Sequence, residues 1–184
     1  FEEGIVDLDA PADENVKRLA KAKGVDPADI GVCVLDRPRH ESIIASLRKV
    51  GARVHLITDG DVAGVINCTK KETGVDMYVG QGGAPEGVLA AAALKCVGGQ
   101  FQGRLVFRND DERARAERTG VSDFKRRYML NELVSKDAIF LATGVTPGSL
   151  LDGVRVSGGV AHTHTLVLNS STRTVTELRV KQPA

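Results

Sequence analysis

The segment GQGGAPEGVLAAAALKCVGGQ, residues 80–100, places a single carboxylate, Glu86, at the start of an alanine-rich run. Glycines surround this carboxylate at positions 80, 82, 83 and 87. A backbone without side chains admits a ligand closely, and a helix N-terminus attracts anions. Because Glu86 would repel a bare phosphate, we expect a divalent cation between the carboxylate and the phosphate oxygens. The alternative is that Glu86 only complements the helix dipole, which contributes about 0.3–1 kcal/mol.

A second segment, LDRPRHE, places Arg37 and Arg39 on either side of Pro38. Proline restricts the backbone of this turn, and two guanidinium groups on a stiff loop can donate forked hydrogen bonds to a phosphate. The alternative is that Asp36 pairs with an arginine at the surface while Pro38 merely starts a helix.

A third segment, ITDGDVAG, places Asp59 and Asp61 around Gly60. A glycine here permits a positive φ, so both carboxylates can turn toward one point. Such a pair can bind a cation or accept hydrogen bonds from sugar hydroxyls. The favoured alternative for this motif alone is that one of the two aspartates caps a helix that starts at Val62.

The three segments fall between predicted strands and predicted helices. Apolar periodicity predicts helices over 13–23, 40–51 and 61–67, and a buried helix after Pro85. Short apolar runs predict strands over 29–36, 52–58 and 75–80. This alternation predicts an α/β fold with a mixed, largely parallel sheet flanked by helices. Ligands of such sheets bind at the carboxyl ends of the strands, where all three segments lie.

The remaining sequence carries weaker signals. The charged segment 109–119 predicts a solvated helix or loop, and segment 136–144 predicts another buried strand. Alternation over 160–170 and 173–180 predicts a C-terminal antiparallel hairpin. His162 and His164 share one face of that hairpin, but without a third ligand nearby we favour surface histidines over a metal site. Loop 142–151 resembles another strand-to-helix turn that packs beside the site.

Composition favours one compact domain over residues 1–184, because 42% of the residues are hydrophobic. A net charge of +1 gives no reason to expect binding to nucleic acid or to an anionic membrane. Three cysteines without C-x-x-C spacing lie in apolar runs, at positions 33, 68 and 96. Reduced, packed thiols favour a cytoplasmic location. The first residue is Phe1, and the sequence reads like the continuation of a longer chain.

Two long blocks, DRPRHESIIASLRKVGARVHLITDGDVAG and VGQGGAPEGVLAAAALKCVGGQFQGRL, resemble the class II fructose-1,6-bisphosphatases. That family belongs to the lithium-sensitive, metal-dependent sugar phosphatases, and its cyanobacterial members also act on sedoheptulose 1,7-bisphosphate. The resemblance runs from about residue 5 to the end but covers only the C-terminal part of such an enzyme. It implies roles for eight residues: Arg37, Pro38 and Arg39 on substrate phosphate, Asp59, Gly60 and Asp61 on the sugar, Gly83 on the substrate, and Glu86 on the metal.

The resemblance also implies hydrolysis of the C1 phosphate with Mg²⁺ or Mn²⁺, in gluconeogenesis or the Calvin cycle, by a homo-oligomer such as a dimer or tetramer. The other metal-binding carboxylates of the family lie in an N-terminal half that this sequence lacks, so no catalytic base is assigned here. We therefore expect the isolated chain to be inactive. A competing hypothesis is a non-catalytic module that senses a sugar phosphate through the same arginines and aspartates.

Overall fold

The computed structural model describes residues 4–184, in which helices and strands alternate over the first hundred positions. The helices are α1 (Ala12–Lys23), α2 (Glu41–Lys49), α3 (Asp61–Asn67), α4 (Ala84–Val97), α5 (Asp110–Arg118) and α6 (Leu130–Leu133). The strands are β1 (Gly31–Leu35), β2 (Arg53–Ile57), β3 (Met77–Tyr78), β4 (Gln102–Gly103), β5 (Tyr128–Met129), β6 (Ile139–Thr143), β7 (Arg155–Ser157), β8 (Val160–Asn169) and β9 (Thr174–Pro183). The predicted βαβ alternation is confirmed.

Strand β1 is the centre of a three-stranded parallel sheet with the order β2-β1-β3. All five of its residues are buried, as expected for an apolar run covered on both faces. On one face Val32 and Val34 pack with Leu47 of α2 and Val16 of α1. On the other face the Cys33 thiol lies beside Gly64 of α3. The sheet is therefore sandwiched between two helical layers.

The order of the strands creates a crevice. The chain leaves β1 toward α2 on one face of the sheet, and it leaves the neighbouring strand β3 toward α4, which packs with α3 on the opposite face. Adjacent strands whose connections diverge in this way leave a gap at their carboxyl ends, which is where ligands of open α/β sheets bind. The topology thus places the segments 36–40 and 79–83 on the two sides of one crevice.

The second half of the chain differs from the prediction of a single, largely parallel sheet. Strands β6, β7, β8 and β9 form a separate antiparallel sheet, and β4 and β5 form a two-stranded antiparallel pair. The predicted C-terminal hairpin is confirmed as β8 and β9, paired from Val160↔Pro183 to Asn169↔Thr174. Strand β6, predicted to be buried, buries Phe140 but exposes Ile139 and Leu141. A five-residue apolar run does not reveal whether one face or both faces are covered.

Helix α4 also departs from its prediction as a fully buried helix. One side packs between α3 and the antiparallel sheet through Ala90, Ala93 and Leu94, which are almost fully buried. Val88 and Leu89, one turn from the N-terminus, are 44% and 51% exposed. The sequence does not reveal which side of α4 is exposed, because hydrophobic residues occur on every side of this alanine-rich helix. Helix α5, in contrast, has no buried residue, as its charge predicted.

Loop 142–151 is not a strand-to-helix turn, because the chain continues from it into β7. Its Ser149 hydroxyl accepts a hydrogen bond from the Asn67 side chain at the C-terminal end of α3 (3.0 Å). Leu150 and Leu151 of this loop belong to the same hydrophobic cluster as Val62, the residue after Asp61, and the position beside the site stays a prediction.

The three cysteines are free thiols, and Cys33 and Cys96 are buried. Burial raises the pKa of Cys33 to about 11, and burial is also the main reason that the pKa of Cys68 rises to about 12. Thiols with such pKa values carry little thiolate near neutral pH, which argues against a cysteine nucleophile. Within residues 4–184, no helix combines the length and apolar character needed to cross a bilayer.

Gly31 supplies a test of the sheet packing. A Cβ atom at this position would lie 1.8 Å from the carbonyl oxygen of Gly74, so Gly31→Ala must move the backbone of β1 or of residue 74. We expect a loss of about 1–3 kcal/mol in the free energy of unfolding, measured by urea denaturation. Gly148→Ala is the control, because nothing lies within 4 Å of its added Cβ. Equal stability of the two variants would contradict this packing.

Candidate active site

The three segments singled out in the sequence converge at one edge of the parallel sheet, as predicted. Leu35 and Ile57 are paired in the register of β1 and β2, so these strands end side by side. Segments 36–40, 58–61 and 79–83 follow the carboxyl ends of β1, β2 and β3 in turn. We call these segments loop 1, loop 2 and loop 3.

A buried histidine joins loop 1 to loop 3. The side chain of His40 is fully buried, and its Nδ1 atom lies 2.8 Å from the carbonyl oxygen of Leu35. Its Nε2 atom accepts a hydrogen bond from the backbone N–H of Gln81 (2.8 Å). Because a carbonyl oxygen can only accept, Nδ1 carries the proton and the ring is the neutral tautomer. Sequence reasoning missed this role, since neither spacing nor residue type shows that a histidine after Arg39 turns inward.

Arg39 binds the other polar group of the same peptide segment. Its Nε and Nη2 atoms donate to the carbonyl oxygen of Gln81, at 3.2 and 2.7 Å. Gln81 is thus held through both its N–H and its C=O by two consecutive residues of loop 1. A guanidinium has five N–H donors, so three remain for a ligand at this exposed position.

Arg37 joins loop 1 to loop 2. Its Nη1 atom donates to the carbonyl oxygen of Asp36 (2.9 Å) and its Nη2 atom to that of Thr58 (2.6 Å). The surface pair between Asp36 and an arginine, which we considered as an alternative, does not form, because the contact is with the backbone of Asp36. Pro38 does start a helix, the 3-10 helix Pro38–His40 that precedes α2.

Loop 2 has the backbone conformation that its glycine predicted. Gly60 is left-handed, with φ at 79°, and it is the N-cap residue of α3. The carboxylate of Asp61 accepts from the N–H of Val62 (3.0 Å), and that of Asp59 accepts from the N–H of Gly60 (2.8 Å). Since Gly60 occupies the N-cap position, the alternative in which an aspartate caps α3 does not hold. Each carboxylate keeps an oxygen without a hydrogen bond from residues 4–184.

Loop 2 also contacts loop 3, and loop 3 contacts Glu86. A Cβ atom at Gly82 would lie 2.6 Å from Oδ2 of Asp61, and one at Gly83 would lie 2.0 Å from Oε2 of Glu86. Gly83 is the N-cap of α4, and Pro85 is its second residue. The carboxylates of Asp61 and Glu86 therefore lie against consecutive residues of one bare backbone segment.

Glu86 is exposed, and no hydrogen bond or ion pair joins its carboxylate to the part of the chain that the structure describes. This freedom suits a metal ligand, although the helix-dipole alternative stands beside it. Within residues 4–184, no three His, Cys, Asp or Glu side chains lie close enough together to hold a metal ion. Glu86 can therefore supply one ligand, and a complete shell requires oxygens from elsewhere.

The structure differs from the sequence-based interpretation of two histidines. His162 and His164 lie on β8, in the antiparallel sheet, and His164 is buried rather than at the surface as we had favoured.

Tyr78 was not singled out in the sequence, yet its buried hydroxyl has no hydrogen-bond partner among residues 4–184. Burial, and then the nearby charge of Asp61, raise the pKa of Tyr78. Its hydroxyl is therefore a neutral donor close to loops 2 and 3.

Comparison with known proteins gives a consistent result. The family model described as bacterial fructose-1,6-bisphosphatase, glpX-encoded, matches residues 2–182. A protein of Synechococcus elongatus named D-fructose 1,6-bisphosphatase class 2/sedoheptulose 1,7-bisphosphatase is 41% identical over 184 aligned positions, covering 93% of this chain and 53% of the relative. A protein of the same name from another Synechococcus strain is 40% identical over 185 positions, covering 94% of this chain and 53% of that relative.

The chain spans about half the length of the curated relatives that it matches. The family model nevertheless extends over nearly the whole chain and includes all three loops. The chain belongs to the family of glpX-encoded bacterial fructose-1,6-bisphosphatases.

Proposed function

We propose that this chain is the sugar-phosphate-binding part of a metal-dependent phosphatase that removes the C1 phosphate of fructose 1,6-bisphosphate or of sedoheptulose 1,7-bisphosphate. The names of the Synechococcus relatives support both substrates. One observation carries the proposal: Arg39 of loop 1, Asp61 of loop 2 and Glu86 of α4 all lie against the backbone of residues 81–83. Arg37 joins loop 1 to loop 2 beside them.

Arg37 and Arg39 bind a substrate phosphate in this proposal. Both guanidinium groups are already anchored to backbone carbonyls, so little side-chain entropy is lost when a ligand binds. Each group retains three N–H donors for phosphate oxygens. Pro38 restricts the backbone between the two arginines and so limits the conformations of loop 1.

Asp59 and Asp61 accept hydrogen bonds from sugar hydroxyls through their remaining oxygens. Gly60 adopts the left-handed backbone that joins the two aspartates, and the Asp61 carboxylate lies against Gly82 of loop 3. Gly82 and Gly83 have no side chains of their own, so a ligand can approach their backbone on the side that Asp61 and Glu86 do not cover.

Glu86 supplies one carboxylate ligand to Mg²⁺ or Mn²⁺ in this proposal. Such an ion, when bound, lowers the pKa of a coordinated water and stabilises the leaving oxygen. The position of Glu86 beside Gly83 brings the ion next to the substrate phosphate. The other ligands, and the base, come from an N-terminal half of the same protein, which we propose as the partner of this chain. We further propose a cytoplasmic homo-oligomer that binds neither nucleic acid nor membrane.

A sensing module remains the second candidate. The observation that favours it is that residues 4–184 hold no complete cluster of metal ligands. A sensor would bind the sugar phosphate through the same arginines and aspartates without hydrolysing it.

A chimaera distinguishes the two candidates and tests Glu86. In it, this chain replaces the matching part of the Synechococcus elongatus relative, and released phosphate is measured with Mg²⁺ or Mn²⁺. We expect the chimaera to hydrolyse fructose 1,6-bisphosphate and the isolated chain to release none. Glu86→Gln should abolish hydrolysis with little loss of thermal stability, because only a dipole contribution of about 0.3–1 kcal/mol is removed.

Glu72→Gln is the matched control, since Glu72 is exposed in the 3-10 helix Lys71–Thr73. Normal turnover of the Glu86 variant at limiting metal would refute its role as a ligand. A folded chimaera without activity, beside an active intact relative, would favour the sensing module.

Arg39→Ala should weaken substrate binding more than catalysis. Loss of charge-assisted phosphate contacts of about 1.5–3 kcal/mol raises KM about ten- to hundredfold. The inhibition constant of a neutral sugar analogue should change much less, because it lacks the phosphate. Arg48→Ala, at the exposed end of α2, is the control. Equal effects of Arg39→Ala on both ligands would assign Arg39 a purely structural role.

His40→Phe should loosen the loops. It leaves the Leu35 carbonyl and the Gln81 N–H without their partner, at a cost of about 1–3 kcal/mol for each buried group. The expected results are a lower free energy of unfolding and faster hydrogen exchange of the Gln81 amide, measured by NMR on this chain. His55→Phe is the control, because the buried Nε2 atom of His55 has no partner among residues 4–184. Unchanged exchange in His40→Phe would show that this histidine does not hold loop 3.

A further inference from the structure

A cavity lies on the antiparallel sheet, apart from the three loops. Its volume is about 660 Å³, and it opens between the segment 147–154 and strands β7, β8 and β9. None of its lining residues belongs to loops 1, 2 or 3. The polar side chains that line it include three cations, two histidines and one carboxylate: Arg155, Arg179, Lys181, His162, His164 and Asp152.

The strand register places three of these side chains in a row. Arg155 of β7 is paired with His162 of β8, and His162 is paired with Lys181 of β9. Residues directly opposite in an antiparallel sheet project from the same face, with Cβ atoms about 4.5–5.5 Å apart. Two cations thus flank one imidazole across three adjacent strands.

These three side chains are available to a ligand. None of them forms a hydrogen bond or an ion pair within residues 4–184. The carboxylate of Asp152 is near enough to interact with the charge of Arg155, but it is ion-paired with Arg179. The two cations of the row therefore still repel each other, and a bound anion would reduce that cost. The positive charges of the row are therefore not neutralised by the part of the chain that the structure describes.

The one lining carboxylate is already used within the wall of the cavity. Arg179 forms an ion pair with Asp152, and this hydrogen bond is the main reason that the pKa of Asp152 is lowered. The N–H of Asp152 donates to Nδ1 of the buried His164 (3.0 Å), which ties segment 147–154 to β8. Glu177, the nearest further carboxylate on β9, lies 3.5 Å from Nε2 of His164 and does not line the cavity. These contacts hold the wall of the cavity together. Among the lining side chains, positive charges outnumber negative ones.

We propose that this cavity binds the phosphate group of a small phosphorylated metabolite. Arg155 and Lys181 contact the phosphate oxygens from two sides, and His162 lies beneath them. The volume falls within the range of about 300–1,000 Å³ that is typical of small-molecule sites, and it leaves room for the organic part of a phosphate ester. The proposal does not depend on the function proposed for the three loops.

Inorganic phosphate is the probe, added to the ¹⁵N-labelled chain at constant ionic strength and followed by NMR. We expect saturable shifts of the amides of Arg155, His162 and Lys181. The double variant Arg155→Gln/Lys181→Gln should weaken this binding tenfold or more, because two charged contacts are lost. Arg48→Gln/Lys49→Gln, with the same change in net charge at the end of α2, should leave it unchanged.

Arg39→Ala separates the two sites. It should reduce any phosphate shifts in loops 1 and 3 but leave those at β7, β8 and β9 intact. If phosphate did not shift the amides of the loops, the result would count against the proposed function but not against the cavity on the sheet. The inference is overturned if phosphate produces no saturable shift at the sheet, if chloride produces the same shifts, or if both double variants weaken binding equally.

Discussion

The candidate site depends on two hydrogen bonds made by one buried imidazole. His40 donates to the end of β1 and accepts from Gln81, so a ring without access to solvent fixes the separation of loops 1 and 3 across the crevice. Both bonds are needed, because a buried polar atom without a partner costs about 1–3 kcal/mol. Arg39 then binds the carbonyl oxygen of the same Gln81 residue. His40, a buried residue, thus helps to set the position of the guanidinium that we propose binds phosphate.

The glycines of loop 3 follow from the same constraint. A Cβ atom at Gly80 would lie 3.1 Å from Cε1 of His40, and Gly82 and Gly83 lie against the carboxylates of Asp61 and Glu86. At these positions side chains of the protein itself occupy the space that a Cβ atom would fill. Any side chain at Gly83 would displace Glu86, so the backbone of loop 3 and the proposed metal position are coupled.

Much of this arrangement could be predicted from the sequence. The alternation of short apolar runs with helical periodicity fixed the order of β1 to α4, and Gly60 marked a left-handed residue at the start of α3. The inward turn of His40 could not be predicted, because burial of a polar residue depends on partners distant in sequence. The hairpin of β8 and β9 was predicted, but its pairing with β6 was missed because the short run of β6 reads alike in parallel and antiparallel settings. The cationic row of Arg155, His162 and Lys181 could not be predicted either, because its members lie up to 26 positions apart in the sequence. Only the pairing of the strands brings them side by side.

The most direct test of the central claim is an NMR titration of the ¹⁵N-labelled chain with fructose 1,6-bisphosphate. The claim is that loops 1, 2 and 3 form one sugar-phosphate site, even though the chain spans about half of its relatives. We expect weak, saturable chemical-shift changes for the amides of residues 36–40, 58–61 and 79–83, all with one dissociation constant. Shifts confined to other parts of the chain, or different dissociation constants for the three loops, would contradict it.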